Sequence, residues 1–350
     1  MKRLSRIIIL SLIFAFAVVL TVFSERASGY AREGLSLCAT CIIPSLFPYM
    51  VISHMIISGG ACSFIGKILP IARLYGLPRD ASAPIFLGSL CGFPVGAKAA
   101  CELYKKGALT KTEAEVLISA ANNTGPSFVV SVIGGVFFKS AVFGWILYSA
   151  QLFSSLIAAI IVNRFIFPFK RREDNTVRVC ESNINFFSAV SDSASSVITV
   201  CGFIVFFSVI FGFSLPYITD LSPTFAGIFS SILEFTGGCE YAAALGGAKG
   251  RFLCGLAVGW SGLSVFCQSC AFTAPLGLSQ KRTLCTKALQ GALTGTIVAG
   301  ISIDHTKEVA SIPFLYSEAS LMLSSPAPVI LISAALYVFV IKKLSLNHKM

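Results

Sequence analysis

Apolar residues form long runs along this chain, and short polar segments between them carry most of the charge. Runs near the length that crosses a bilayer as a helix are Ile7–Phe23, Leu35–Ile57, Ala114–Phe138, Phe143–Phe167, Phe186–Phe213, Phe252–Pro275, Thr286–Ile301 and Pro328–Ile341. The longest polar stretch, Lys170–Asn185, has only the length of a loop. The pattern therefore predicts an all-α polytopic membrane protein without a separate soluble domain.

Composition agrees with this pattern. The 350 residues are 55% hydrophobic and 12% charged, whereas soluble domains carry about 25% charged residues. The net charge is +11, and basic clusters precede the first run and lie around Lys105, Lys170, Lys281–Lys287 and Lys342. These clusters flank apolar runs in alternate loops, as the positive-inside rule requires. We expect the charge to set membrane orientation, and we expect no nucleic-acid partner.

The N-terminus fits two interpretations. Its basic start, apolar run and small residues Ala27-Ser28-Gly29 resemble a secretory signal. The apolar run is longer than such a signal usually carries, so we favour an uncleaved first helix that begins in the cytosol.

The basic clusters also fix an expected path through the membrane. Gly60–Cys101 must begin and end on the cytosolic side, which predicts a re-entrant hairpin that turns at Gly92-Phe93-Pro94. Glu234–Gly247 is expected to form a second hairpin that enters from outside. Each half then contains a span, a hairpin, a broken span and a span. Together with the similar segments TGPSF at Thr124 and SGLSV at Ser261, this order predicts an inverted repeat.

The predicted organisation has five parts. They are an N-terminal transmembrane helix (1–34), a first repeat (35–168), a basic cytosolic loop (169–185), a second, inverted repeat (186–301), and an outer loop with a C-terminal transmembrane helix (302–350).

Polar residues at the two broken spans are the candidate substrate site. Pro126 lacks an N–H group, so the carbonyl of Asn122 loses its helical partner in the middle of a span. Polar groups at this depth usually mark a transport pathway; the alternative is that the amides only hold neighbouring helices together. The candidate substrate-binding residues are Lys98, Asn122, Asn123, Thr124, Ser127, Ser261, Ser264 and Gln268.

Other residues are expected to shape or move the hairpins. The hairpin and gating candidates are Gly92, Phe93, Pro94, Gly96, Gly125, Pro126, Glu234, Gly237, Gly238 and Glu240. Lys98 could instead extend its ammonium to the nearby cytosolic face. His54 is expected to be a hydrogen-bonded packing residue, and Asp192 a charge near a helix N-terminus.

We expect no metal or other cofactor and no enzymatic activity. The pairs Cys38/Cys41 and Cys267/Cys270 lie in apolar stretches without a histidine at ligand spacing, and no nucleotide-binding loop is present. One enzymatic alternative is the Gly-x-Ser-Gly motif around Ser261, which resembles the nucleophile of rhomboid intramembrane proteases. Its base would have to be His305 or His348, and neither lies within an apolar run.

Four segments carry a family resemblance: PSLFPYMV, GSLCGFPVGAKAACELYKKGALTKTEAEVLISAANNTGPSFVVSVIGG, LEFTGGCE and GWSGLSVFCQ. Through them the chain resembles the YlbJ (SpoV-V) family of sporulation integral membrane proteins, within the nucleoside-recognition or gate-domain superfamily. The resemblance implies a fold like that of concentrative nucleoside transporters. It also implies export of dipicolinic acid from the mother cell towards the forespore, across the mother-cell-derived outer forespore membrane.

Two other functions remain open. The fold could carry another small solute, such as a nucleoside or a carboxylate, or the protein could be a spore-envelope assembly factor without transport activity. The expected partners are a small organic anion and the lipid bilayer. A homo-oligomer and partners among sporulation membrane proteins are left open.

Overall fold

The structure, a computed structural model, describes residues 2–169, 185–219 and 222–301. These residues form helices joined by turns, with no strand among them. The last predicted span, Pro328–Ile341, the predicted outer loop and residues 170–184 lie outside the described residues.

The described first half of the chain contains α-helices of 7 to 21 residues. The helices are α1 (Lys2–Val22), α2 (Ser24–Leu37), α3 (Ile43–Ser58), α4 (Cys62–Ile68), α5 (Ser82–Cys91), α6 (Val95–Lys105), α7 (Lys111–Ala121) and α8 (Ala141–Ile161). Three π-helical segments (Cys38–Ile42, Ser127–Phe137 and Val162–Ile166) and two 3₁₀ turns (Ile71–Tyr75 and Arg79–Ala81) connect or extend them.

The second half begins with the longest helix. Its helices are α9 (Phe186–Thr219), α10 (Pro223–Leu233), α11 (Phe235–Leu245), α12 (Gly247–Trp260), α13 (Gly262–Thr273) and α14 (Lys281–Ala299), with a 3₁₀ turn at Ala274–Leu276.

Several of these segments have the length and composition of membrane spans. Within the described residues three qualify, at Ala141–Ile166, Phe186–Ile218 and Gly247–Leu276. Two helix pairs are bent by 97° and 93°, and the number is five if each bent pair is counted as one span. Large apolar side chains stay exposed on these helices, among them Ile198, which is 72% exposed. The prediction of a polytopic membrane protein is consistent with this all-helical fold.

The first predicted hairpin consists of α5 and α6, which turn at Gly92, where φ is +85°. Glycine is required where this hairpin lies against the end of α7. A Cβ atom on Gly88 or Gly96 would lie 1.8 or 2.0 Å from the Ala121 carbonyl oxygen. The missing side chains therefore let the hairpin pack on the residue before the helix break.

The second hairpin differs from its prediction. We expected it at Glu234–Gly247, but the chain turns at Glu234 between α10 and α11. The Glu234 carboxylate accepts a hydrogen bond of 2.7 Å from the Gly237 N–H and caps α11. The first arm therefore precedes Glu234. The glycines Gly246 and Gly247, both with positive φ, form the next turn, into α12.

Both predicted helix breaks are confirmed. The run Ala114–Phe138 divides into α7, a non-helical stretch at Asn122–Gly125 and a π-helical segment. The second break is at Ser261, whose φ of +74° separates α12 from α13. Each break faces a hairpin turn: a Cβ atom on Gly92 would lie 2.9 Å from the Gly125 nitrogen, and one on Gly262 would lie 2.9 Å from the Phe235 nitrogen.

Glycines also draw α14 close to α12. A Cβ atom on Gly255 would lie 2.7 Å from the Gly295 Cα atom, and one on Gly259 equally close to the Gly291 Cα atom. Each helix thus carries a Gly-x-x-x-Gly motif, which permits close backbone approach between membrane helices. This contact sets the side of α14 that faces the protein interior.

Candidate functional site

A cluster of buried polar side chains lies beside the first helix break. Asn123 Oδ1 accepts a hydrogen bond of 3.1 Å from Gln290 Nε2, and Lys287 Nζ approaches the same oxygen at 3.5 Å. Lys287 Nζ also donates to Gln290 Oε1 at 2.8 Å. Gln151 Nε2 donates to the Thr124 carbonyl at 3.0 Å. These five residues, each at most 3% exposed, form what we call the central polar cluster.

Local structure explains how this cluster assembles. The break at Asn122–Gly125 frees the Thr124 carbonyl from helical hydrogen bonding, and Gln151 reaches it from α8. The buried face of α14 is polar, with Thr283, Thr286, Lys287, Gln290 and Thr294 at helical spacing. On the opposite face Leu284 and Ala288 are exposed. A polar face turned inward is the reverse of a soluble amphipathic helix and is typical of a membrane helix that lines a polar interior.

Lys287 is placed differently from the sequence prediction. We assigned it to a basic cluster flanking a span, but its side chain is 3% exposed inside the protein. The clue in the sequence was its position among polar residues three, four and seven positions apart, the spacing of one helix face. Gln151 and Gln290 were missed because we interpreted their segments only as apolar spans.

The second break carries Ser261, and Ser264 and Gln268 follow one turn apart on α13; all three side chains are buried. Gln268 Nε2 lies 3.5 Å from Ser264 Oγ, and Ser261 Oγ lies 3.4 Å from the Val258 carbonyl oxygen. The Thr124 hydroxyl approaches the same carbonyl at 3.5 Å. The two breaks therefore meet at one carbonyl group near the end of α12.

The two hairpins meet through aromatic rings. Phe93, at the first hairpin turn, packs edge-to-face on Phe235 of the second, with ring centroids 5.2 Å apart. Phe128, which follows the first break, lies 5.2 Å from the same ring. These contacts join both hairpin turns to the segment after the first break.

Lys98 belongs to a different group of polar side chains. Its Nζ donates to the Asp192 carbonyl at 3.2 Å, and Glu102 lies one helical turn away on α6. His54 Nδ1 lies 3.0 Å from Glu102 Oε1, and its Nε2 lies 3.9 Å from Asp192 Oδ2. His54 is therefore a hydrogen-bonded packing residue, as predicted. The structure does not bring Lys98 into contact with Asn122 or Asn123.

The remaining predicted site residues vary in exposure. Ser127 and Glu240 are exposed, whereas Asn122 is buried and its Oδ1 has no hydrogen-bond partner among the described residues. Gly238 packs against α10, the first arm of the second hairpin, where a Cβ atom would lie 2.6 Å from the Ser231 Cα atom. Glu234 lines a cavity of about 230 Å³ together with residues of α2 and α9.

A second set of polar side chains, centred on Arg282, fixes the start of α14. Arg282 Nη1 donates to Asn163 Oδ1 at 3.1 Å and to the Phe167 carbonyl, and Arg282 Nε lies 3.8 Å from Glu115 Oε2. Asn163 Nδ2 in turn donates to Ser119 Oγ at 3.1 Å. These bonds tie α14 to α7 and to the end of α8, and so fix the rotation that points Lys287 inward.

The serine-protease alternative gains no base from the described residues. Ser261 Oγ faces a backbone carbonyl, and His305 and His348 both lie outside the described residues.

Comparison with known proteins identifies one relative of known membrane location. No protein-family profile and no solved structure matches the chain. Sporulation integral membrane protein YlbJ from Bacillus subtilis (strain 168) is 27% identical in an alignment of 219 residues that covers 56% of this chain and 54% of that protein. The chain thus spans about half the length of the curated relative it matches. This similarity supports the resemblance of the chain to the YlbJ family of sporulation integral membrane proteins.

Proposed function

We propose that this protein transports a small organic anion across a membrane during sporulation. The name of its Bacillus subtilis relative supports the membrane and sporulation parts of this proposal. The observation that carries the transport part is the central polar cluster, which is buried beside a helix break in a chain of membrane-spanning composition. Broken helices that place polar groups at mid-depth are the plan of many secondary transporters.

The paired arrangement of hairpins and breaks supports an inverted repeat. In each half a hairpin turn lies against a helix break, at Gly92 with Gly125 and at Phe235 with Gly262. The two breaks share the Val258 carbonyl. An alternating-access transporter needs two such halves that can move against each other around one site.

Dipicolinate fits this site in its chemistry. It is a planar aromatic dianion at neutral pH, so it requires cationic or N–H-rich groups and an apolar surface for its ring. In this proposal Lys287 and the side-chain amides supply the former, and the rings nearest the first break, Phe93 and Phe128, are the candidates for the latter. One charge moving through 100 mV changes its free energy by about 2.3 kcal/mol, so export of a dianion from a negative interior is favourable by about 4–5 kcal/mol. We place this step in the outer forespore membrane, directed towards the forespore.

Flux in liposomes tests the proposal. The purified protein is reconstituted, a membrane potential of either sign is imposed, and entry of dipicolinate and of uridine is measured. We expect dipicolinate flux whose rate rises when the potential drives the anion in the direction of transport. Movement of uridine without dipicolinate would replace this function with nucleoside transport. Movement of neither solute at either polarity would favour the assembly factor.

A further inference from the structure

Lys287 is a buried lysine, and the described residues place no carboxylate beside it. Among the residues that the structure describes, no carboxylate lies within 4.0 Å of its ammonium group. Its two neighbours are uncharged amide oxygens, Gln290 Oε1 at 2.8 Å and Asn123 Oδ1 at 3.5 Å. Because water no longer solvates a buried ammonium, such a group is normally paired with an anion. The part of the chain that the structure describes leaves this requirement unmet.

Arg282, on the same helix, shows the usual arrangement. It lies 3.8 Å from the Glu115 carboxylate and stacks near Phe167, with its Cζ atom 5.5 Å from the ring centroid. Arg282 lies about one and a half helical turns before Lys287 on α14 and does have a carboxylate nearby. Among the described residues, the absence of a carboxylate at Lys287 is therefore a local feature of the central polar cluster.

Unpaired hydroxyl groups lie on the helix faces that carry the cluster. Thr283 and Thr286 on α14 and Ser154 and Ser155 on α8 are each at most 2% exposed. Their hydroxyl oxygens have no hydrogen-bond partner among the described residues. Most buried polar atoms in proteins have a partner, so unpaired ones indicate a further ligand such as water or a solute oxygen. Hydroxyl groups can donate to a carboxylate, as an ammonium can.

We propose that Lys287 is the counter-charge of a carboxylate-binding subsite within the central polar cluster. A carboxylate of the transported solute takes the place of Gln290 Oε1 on the Lys287 ammonium, and the amides of Asn123, Gln151 and Gln290 orient it. Hydrogen bonds from a charged donor to a carboxylate are shorter and stronger than those between neutral groups, which favours recognition of a carboxylate by an ammonium. This inference rests on the proposed function and names the charged group that selects its substrate.

The sharpest test is Gln290→Glu, which places a carboxylate beside Lys287 with almost no change in side-chain volume. The new carboxylate pairs with the ammonium, so the fold should tolerate the change and the subsite should already be occupied. We expect binding of dipicolinate to weaken roughly tenfold or more, the scale for disrupting a buried charge pair. Binding of the neutral analogue pyridine-2,6-dicarboxamide should change much less. Both affinities are measured by titration calorimetry on detergent-purified protein.

Lys287→Met and Lys98→Met form a matched pair, since each removes one lysine; Lys287 is buried and Lys98 is half-buried. Only Lys287→Met should lose preference for the dianion over the neutral dicarboxamide, and Lys287→Arg should restore part of it. The inference is overturned if Gln290→Glu binds dipicolinate as wild type does, or if Lys98→Met alone loses the preference. If wild-type protein neither binds nor moves dipicolinate, the proposed function fails as well, which distinguishes the two failures.

Discussion

Asn122 and Asn123 are neighbours in the chain but differ in their hydrogen bonds. Asn123 Oδ1 faces both Gln290 and Lys287, whereas Asn122 Oδ1 is buried without a partner among the described residues. The sequence predicted both amides as substrate-binding residues and could not separate them. The structure distinguishes an amide that already holds two helices together from one that is free to accept from a ligand or water.

Alanine at these two positions separates packing from transport. We expect Asn123→Ala to lower the free energy of unfolding by about 1–2 kcal/mol, the scale of intramembrane hydrogen bonds, and to abolish dipicolinate flux. Asn122→Ala should change stability by less than about 1 kcal/mol, since the Asn122 side chain makes no hydrogen bond to any described residue. Thermal unfolding and flux are measured on the same preparations. Wild-type flux in a destabilised Asn123→Ala protein would mean that this amide only packs helices.

At the scale of elements, the first hairpin depends on close approach to α7. A Cβ atom on Gly96 would lie 2.0 Å from the Ala121 carbonyl oxygen, so Gly96→Ala must displace either the hairpin or the end of α7. Both movements disturb the break that carries Asn122 and Asn123. We expect a loss of roughly 1–3 kcal/mol in unfolding free energy, the usual cost of overpacking, together with reduced flux.

Gly202→Ala is the matched control for that substitution. Gly202 lies inside α9, and a Cβ atom there would meet no atom within 4 Å. Alanine favours a helix over glycine by up to about 1 kcal/mol, so this variant should melt at or above the wild-type temperature. Thermal unfolding of the three proteins in one detergent makes the comparison. Equal melting of Gly96→Ala and Gly202→Ala would show that the hairpin does not need the close contact.

At the scale of the whole molecule, the inverted repeat predicts on which side of the membrane each loop lies. Cys239 cannot report this because it is fully buried, so exposed positions are required. Lys105, Lys249 and Lys281 are all exposed and lie at helix ends. In a protein without its native cysteines, Lys105→Cys and Lys281→Cys should react with an impermeant thiol reagent only from the cytosolic side.

Lys249→Cys should react only from the opposite side, because it lies at the start of α12, beyond the second hairpin. The readout is mass shift of the labelled protein in right-side-out and inside-out vesicles. Labelling of Lys249→Cys and Lys281→Cys from one side would contradict a span between them and would remove the inverted repeat.

The sequence by itself determined the features that depend on neighbouring residues. Apolar runs of spanning length predicted α8 and α9, because a helix in a bilayer must be apolar over its length. The run Thr286–Ile301 predicted the helix α14, but α14 is not among the segments that qualify as spans within the described residues. Pro126 and the glycines at 92 and 125 predicted a break and a hairpin turn, since proline and glycine act on the backbone locally. The second hairpin was misplaced because the capping role of Glu234 left no comparable signal.

Only the tertiary structure decided which polar residues meet. Lys287 and Asn123 are separated by 164 positions, and Gln290 and Gln151 by 139. No local pattern specifies such a pairing. It follows from the rotation of α14, which the Arg282 contacts and the close glycine packing on α12 fix together. In the sequence, a lysine near a membrane boundary indicates the topology of the neighbouring span. Helix packing instead turns Lys287 towards the protein interior.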